Sequence, residues 1–228
     1  MHTSVLNFFI DNIDRSEFEG KRVLEIGSRF VNGSVRPIIE KFMAPKEYVG
    51  VDIEAGKNVD LILPVEEIVK RFGHDSFDVV ISTEMLEHVL NWRVVIDNIK
   101  SVVKPGGLVY ITTRSMGFSL HSFPYDYWRY ELQDLERIFG DYHIISILKD
   151  QEFPGVFLKT KKPQSPKKTI DLNNIRLYAI ITGERTDENL ILNNSLSVRK
   201  CMQRFLTSKV KYFLPYILMY SLEKRFMK

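Results

Sequence analysis

A glycine delivered by a short apolar run, Val23-Leu24-Glu25-Ile26-Gly27, opens the turn Ser28-Arg29-Phe30-Val31-Asn32-Gly33-Ser34. Glycine at the end of a strand lets backbone come close to a bound molecule. Asp52 closes a second apolar run, Tyr48-Val49-Gly50-Val51, nineteen residues after Gly33. A carboxylate in that place accepts hydrogen bonds from both hydroxyls of a ribose. The plainer alternative makes Gly27 and Gly33 ordinary turn residues and Asp52 a helix cap.

Two further groups carry polar chemistry. Ser82-Thr83-Glu84 follows the apolar run 77–81, with Glu87-His88 just beyond. A histidine there takes the proton of an acceptor hydroxyl, or else only orders its loop. The second group is His121-Ser122-Phe123-Pro124-Tyr125-Asp126-Tyr127-Trp128-Arg129-Tyr130. Aromatic rings stack on the apolar faces of sugars, and charged groups bind hydroxyls or carboxylates. Tyr125, Asp126, Trp128 and Arg129 are therefore expected at the substrate, with His121 the first candidate for general base and His88 the second. The competing reading is a hydrophobic cap with Trp128 buried. No grouping of carboxylates and histidines at ligand spacing is visible along the chain, so no metal is expected.

These residues must be held by an alternating pattern of strands and helices. Apolar runs at 22–26, 47–53, 77–82 and 108–113 read as strands, and 143–148 and 156–159 as two closing ones. Helical spacing occupies 5–13, 37–43 (opened by Pro37), 65–72, 86–103 and 131–139, with Lys104-Pro105-Gly106-Gly107 as a stop and turn. Strands alternating with helices imply crossovers and a parallel sheet. Residues 1–162 are assigned to this domain, and 163–228 to a linker with Pro163 and Pro166 among lysines and a C-terminal extension.

The 228 residues hold 44% hydrophobic and 27% charged side chains, ordinary for a globular protein and unlike a disordered chain. A single cysteine, Cys201, excludes an internal disulfide and fits a reducing compartment. No signal peptide and no membrane-spanning run is seen, so a cytoplasmic location is expected. The net charge of +3 is unevenly spread. Residues 195–228 hold eight Lys and Arg against Glu223, leaving a slightly acidic remainder. A nucleic-acid enzyme more often carries its basic surface around the active site, so a small or carbohydrate-type acceptor is favoured.

The pieces VLEIGS (23–28), YVGVDI (48–53), FDVVISTEMLEHV (77–89) and VVKPGGLVYITT (102–113) together resemble the class I S-adenosylmethionine-dependent methyltransferases, of the kind associated with glycan assembly. The resemblance implies a Rossmann-like, mostly parallel seven-stranded sheet flanked by helices, its last strand antiparallel. It places Glu25, Gly27 and Ser28 near the methionine moiety of S-adenosylmethionine, Asp52 on the ribose and Ile53 on the adenine. Ser82, Thr83 and Glu84 line the floor below the sulfonium. Two departures stand out: Arg29 and Val31 occupy places where glycine is usual, and Val65 falls where a carboxylate often meets the adenine amino group. O-methylation of a sugar, glycan or related small molecule is the leading expectation. An RNA or protein methyltransferase, a nicotinamide-dependent oxidoreductase and a non-catalytic scaffold are the alternatives.

In the tail, Phe205, Leu206, Val210, Phe213, Leu214, Ile217, Leu218 and Leu222 run against lysines and arginines. Such a basic amphipathic helix either lies on an anionic membrane surface, which suits a lipid-linked glycan, or packs on its own domain or a second subunit.

Overall fold

The computed structural model describes residues 2–122, 125–165 and 169–186. The amphipathic run at 195–228, with the membrane or subunit contact expected of it, lies outside the described residues. Helix α1 (Thr3–Asn12) buries Val5, Phe8 and Phe9, and α2 (Arg15–Phe18) opens with a capping box between Asp14 and Glu17. Then follow β1 (Arg22–Ile26), α3 (Arg36–Phe42) with Pro37 in its first turn, β2 (Glu47–Asp52), β3 (Leu61–Ile62) and α4 (Ile68–Phe72). Next come β4 (Phe77–Thr83), α5 (Trp92–Val102), β5 (Val103–Arg114), β6 (Trp128–Arg129) and α6 (Leu132–Ile138). Strands β7 (His143–Lys149), β8 (Gly155–Lys161), β9 (Leu177–Ala179) and β10 (Arg185–Thr186) complete the series.

Seven strands form one sheet in the order β3-β2-β1-β4-β5-β8-β7. The pairings from β3 to β5 are parallel, and β8 runs antiparallel between β5 and β7. The parallel part is the sheet anticipated from the strand rhythm, and the seven-stranded, Rossmann-like whole is the one the family resemblance implies. Alternate residues feed two cores. Leu24, Ile26, Val109 and Ile111 pack with Val95, Ile96 and Ile99 of α5 and with Leu135 of α6. Val23, Val79, Ile81 and Tyr110 pack with Phe8, Phe9, Phe18 and Ile39 on the other face. Each fully buried aliphatic or aromatic side chain contributes about 1.5–3 kcal/mol.

Three elements differ from expectation. The helix expected from residue 86 begins only at Trp92, with a tight 3-10 turn at Leu86–His88 before it. The carbonyls that a continuous helix would use are taken by residues 127–130. The Tyr130 hydroxyl donates to Leu86 O, the Tyr127 N–H to Glu87 O, and the Trp128 indole to Leu90 O. The Lys104–Gly107 stretch lies inside β5 as a bulge, between the pairs Phe77–Val103 and Val79–Leu108. A Cβ at Gly107 would stand 2.7 Å from Asp78 O, so glycine is required there by close approach. Third, the chain after residue 162, assigned to a linker and extension with a strand-like apolar run at 177–181, returns to the domain. Leu172, Ile175, Leu177 and Ala179 join the larger core, and β9 pairs with β6 and β10 rather than extending the main sheet.

Candidate active site

A cavity of about 500 Å³ opens at the carboxyl ends of β1, β2 and β4, the place where open α/β sheets bind ligands. Of the residues expected at a cofactor, Glu25, Gly27, Ser28, Asp52, Ile53, Val65, Thr83 and Glu84 line it. Ser82 does not. It is wholly buried within β4, between its partners Ile26 and Ile111, because strand alternation turns its side chain away from the cavity that Thr83 faces.

Gly27 adopts φ +75°, and a Cβ there would meet Met85 Cγ at 2.7 Å. Backbone freedom and close approach thus both demand glycine at the strand tip. Asp52 receives the backbone N–H of Arg29 and of Glu54, both at 3.1 Å, one on each carboxylate oxygen. This is the turn-capping role of the plainer alternative, yet it uses only half of the carboxylate's four acceptor sites. The other half remains able to accept further donors. Ile53 beside it is 68% exposed, an apolar side chain with nothing yet packed on it.

Glu25 is buried beneath the turn with the Tyr48 hydroxyl donating to it at 2.9 Å. Burial pushes its carboxyl up to about 8, and the tyrosine only partly offsets this. Glu84 is pushed up to about 7, by burial first and by the charge of Glu87 second, while Arg114 pulls the other way. Its backbone sits in the left-handed region, φ +53°, a strain of about 1–3 kcal/mol that recurs at functional sites. The Glu84 N–H bond to Thr112 O at 2.8 Å and the ion pair with Arg114 hold it there. Glu84 Oε1 and Ser28 Oγ are buried without partners. Carboxylates short of positive charge, next to orphaned polar atoms, fit the ammonium and sulfonium of S-adenosylmethionine.

Across the cavity, His88, His121 and Tyr125 line the wall. His88 Nδ1 lies 2.6 Å from Tyr125 O. His121 Nδ1 lies 3.0 Å from Asp126 Oδ2, and the His121 backbone N–H donates to the same oxygen. Burial would lower the His121 imidazole, but the hydrogen bond and charge of Asp126 outweigh it and raise it above the usual value. The two rings meet edge to face with centroids 4.7 Å apart.

The expected substrate contacts of Asp126, Trp128 and Arg129 are corrected by their burial. Asp126 is buried, and Arg129 grips both its oxygens, at 2.5 and 2.8 Å. Trp128 faces the core from β6, its indole N–H spent on Leu90 O. These three hold the loop and the 86–90 turn in place, so the competing cap reading describes them better. Tyr125, 64% exposed, keeps its place on the wall.

The expectation that no carboxylate and histidine grouping exists is also overturned. Glu87, His88 and His121 each place a ligand atom within 4.8 Å of the others. Linear spacing could not reveal this, because the loop between β5 and β6 folds His121 back onto the turn that carries the other two. Sequence reasoning also missed Arg114, which pairs with Glu84 and, at 3.2 Å, with Asp150 while its guanidinium lies over Phe118. Its place at the last residue of β5 was the available signal.

Fold and site together define a Rossmann-like protein built to seat a nucleoside at its strand tips. The chain belongs to a methyltransferase-domain family, which matches residues 3–150, and the cofactor of that family is S-adenosylmethionine. A ubiquinone biosynthesis O-methyltransferase of Vibrio atlanticus is 32% identical over 113 residues, 46% of this chain and 48% of the relative. One of Dechloromonas aromatica is 33% identical over 144 residues, 58% of this chain and 62% of the relative. The chain thus spans about half the length of the curated relatives it matches. Among solved structures, the Burkholderia thailandensis 1,6-didemethyltoxoflavin-N1-methyltransferase with bound S-adenosylhomocysteine superposes with a TM-score of 0.51 at 12% identity, covering 70% of this chain and 76% of that one. That likeness speaks for the fold alone.

Proposed function

We propose that this chain transfers a methyl group from S-adenosylmethionine to a hydroxyl of a small ring compound, a sugar or glycan unit among them. The observation that carries the reading is the juxtaposition of two half-cavities: under-compensated carboxylates and Asp52 on one side, two histidines on the other. The relatives named O-methyltransferases support oxygen as the acceptor atom. When bound, the cofactor supplies an electrophilic methyl group on a sulfonium.

The protein's own contribution is placement. Asp52 accepts from the ribose, Glu25 and Glu84 face the cationic portion, and Gly27 lets that portion lie against backbone. On the acceptor side Tyr125 and Phe118 offer ring faces, and His121, oriented by Asp126, takes the hydroxyl proton, with His88 beside it. With Trp128 buried, the stacking surface is smaller than a glycan-binding platform expected from the motif, which suits a single ring.

The test is calorimetry with S-adenosylmethionine, followed by measurement of S-adenosylhomocysteine release with nucleotide sugars, glycosides and catechols. Cofactor binding with turnover on a hydroxyl substrate is expected. A chain that binds no cofactor, or that methylates only nitrogen acceptors, contradicts the reading.

A further inference from the structure

Glu87 is wholly buried, and although its Oε2 accepts from Thr113 Oγ1 at 2.9 Å, its Oε1 has no partner. A buried carboxylate oxygen left bare is costly unless a cation or donor meets it. His88 and His121 each bring a ligand atom within 4.8 Å of a Glu87 carboxylate oxygen. His88 Nδ1 is hydrogen-bonded to Tyr125 O at 2.6 Å, and His121 Nδ1 lies 3.0 Å from Asp126 Oδ2 in ion-pair range but outside hydrogen-bond geometry. Such an outer partner fixes the tautomer of a metal-binding histidine, which for His88 leaves Nε2 for the ion, while His121 keeps a ring nitrogen without a hydrogen bond. Asp126 is anchored in turn by the bidentate grip of Arg129.

We propose that Glu87, His88 and His121 bind a divalent transition-metal ion at the acceptor end of the cavity. Two imidazoles and a carboxylate suit zinc, manganese or iron(II), whereas magnesium and calcium favour all-oxygen sets. Donors around such an ion stand about 3.0–3.4 Å apart at bond lengths of about 2.1 Å, so the three groups draw in by roughly 1–2 Å on loading. Residues 115–122, which carry His121, belong to no helix or strand and allow that approach.

The role of the ion rests on the hydroxyl-methylation reading and replaces its imidazole base with a metal-bound hydroxyl. The acceptor hydroxyl joins the ion as a further ligand and loses its proton to water rather than to an imidazole. Its oxygen then forms the new O–C bond as the S–C bond breaks, with the electron pair staying on sulfur. His88 and His121 serve as ligands in this form.

The full chain, dialysed against EDTA, is titrated with Zn²⁺, with Co²⁺ and, as the hard-cation arm, with Mg²⁺. One equivalent of Zn²⁺ is expected, bound at least tenfold more tightly than by Glu87→Gln or His88→Gln, with no heat from Mg²⁺. Binding of S-adenosylhomocysteine by each variant confirms its fold. Co²⁺ bound to the unsubstituted chain is expected to show the visible bands of a nitrogen-ligated, low-coordinate site, which decides the matter even where a variant does not fold. No stoichiometric Zn²⁺ binding, equal affinity in folded variants, or a weak all-oxygen Co²⁺ spectrum overturns the proposal. Turnover that persists in EDTA without Zn²⁺ binding removes the ion and leaves methyl transfer standing. A chain that binds Zn²⁺ but no cofactor does the reverse.

Discussion

On the cofactor side Glu25 lies buried with the Tyr48 hydroxyl hydrogen-bonded to it and is pushed up to about 8. On the acceptor side Asp126 is also buried, yet Arg129 and His121 hold it down at about 2 despite the burial. The contrast separates two uses of an internal carboxylate. One whose countercharge comes from the protein is scaffolding, and one whose countercharge is insufficient waits for a cation from the ligand.

Four substitutions test that contrast. The largest effect belongs to His121→Ala, expected to lower turnover by about a hundredfold to ten-thousandfold while leaving cofactor affinity unchanged, as read by single-turnover kinetics and calorimetry. Full activity would detach His121 from the acceptor. Next, Asp126→Ala strands the buried Arg129 charge and should remove about 3–5 kcal/mol of stability, visible as a lowered urea midpoint. A near-neutral result would mean that Arg129 finds other partners and that the pair is not scaffolding. Asp52→Ala should weaken S-adenosylmethionine by about tenfold to a hundredfold, the loss of about 1.5–3 kcal/mol of hydrogen bonding to a charged group, while the ligand-free chain loses about 0.5–2 kcal/mol from the turn that Asp52 caps.

The smallest effect is a slope. The raised carboxyls of Glu25 and Glu84 bind protons in the folded chain that the unfolded chain releases near pH 4.5. Their contribution to stability is therefore complete below that value and is lost as pH rises through about 7 to 8. The midpoint of the ligand-free chain should fall over that window, and Glu25→Gln should flatten the fall. Cofactor affinity should rise over the same window, because the ionised carboxylate is the form that attracts the ammonium. Asp126 acts with the opposite sign: its contribution is present above the ordinary carboxylate range and is lost as pH falls through about 2. An unchanged slope in Glu25→Gln would show that this carboxyl carries no titration of its own.

The cofactor half was legible because its signals are local. A strand period of two, a glycine at the tip and an acid at the next tip place Gly27 and Asp52 at the cavity. Ser82 failed by one step of the same alternation. The acceptor half was less legible because residue type says nothing about burial. His121, Asp126, Trp128 and Arg129 are adjacent in the chain, yet only the histidine lines the cavity. What turned the others inward is β9, a short strand some fifty residues downstream, pairing with Trp128 and Arg129. Glu87 was passed over for a related reason: its meaning depends on His121, which tertiary folding alone brings alongside.

The β6–β9 pairing also sets how the protein can be cut and transplanted. The family match ends at residue 150, and the main sheet ends with β8 at Lys161. A recombinant fragment stopped there would bare the sites of Leu172, Ile175, Leu177 and Ala179 along with the flank of Trp128. A self-standing fragment therefore has to include β9, and a graft onto another methyltransferase needs that late strand to hold the 126–130 segment in place.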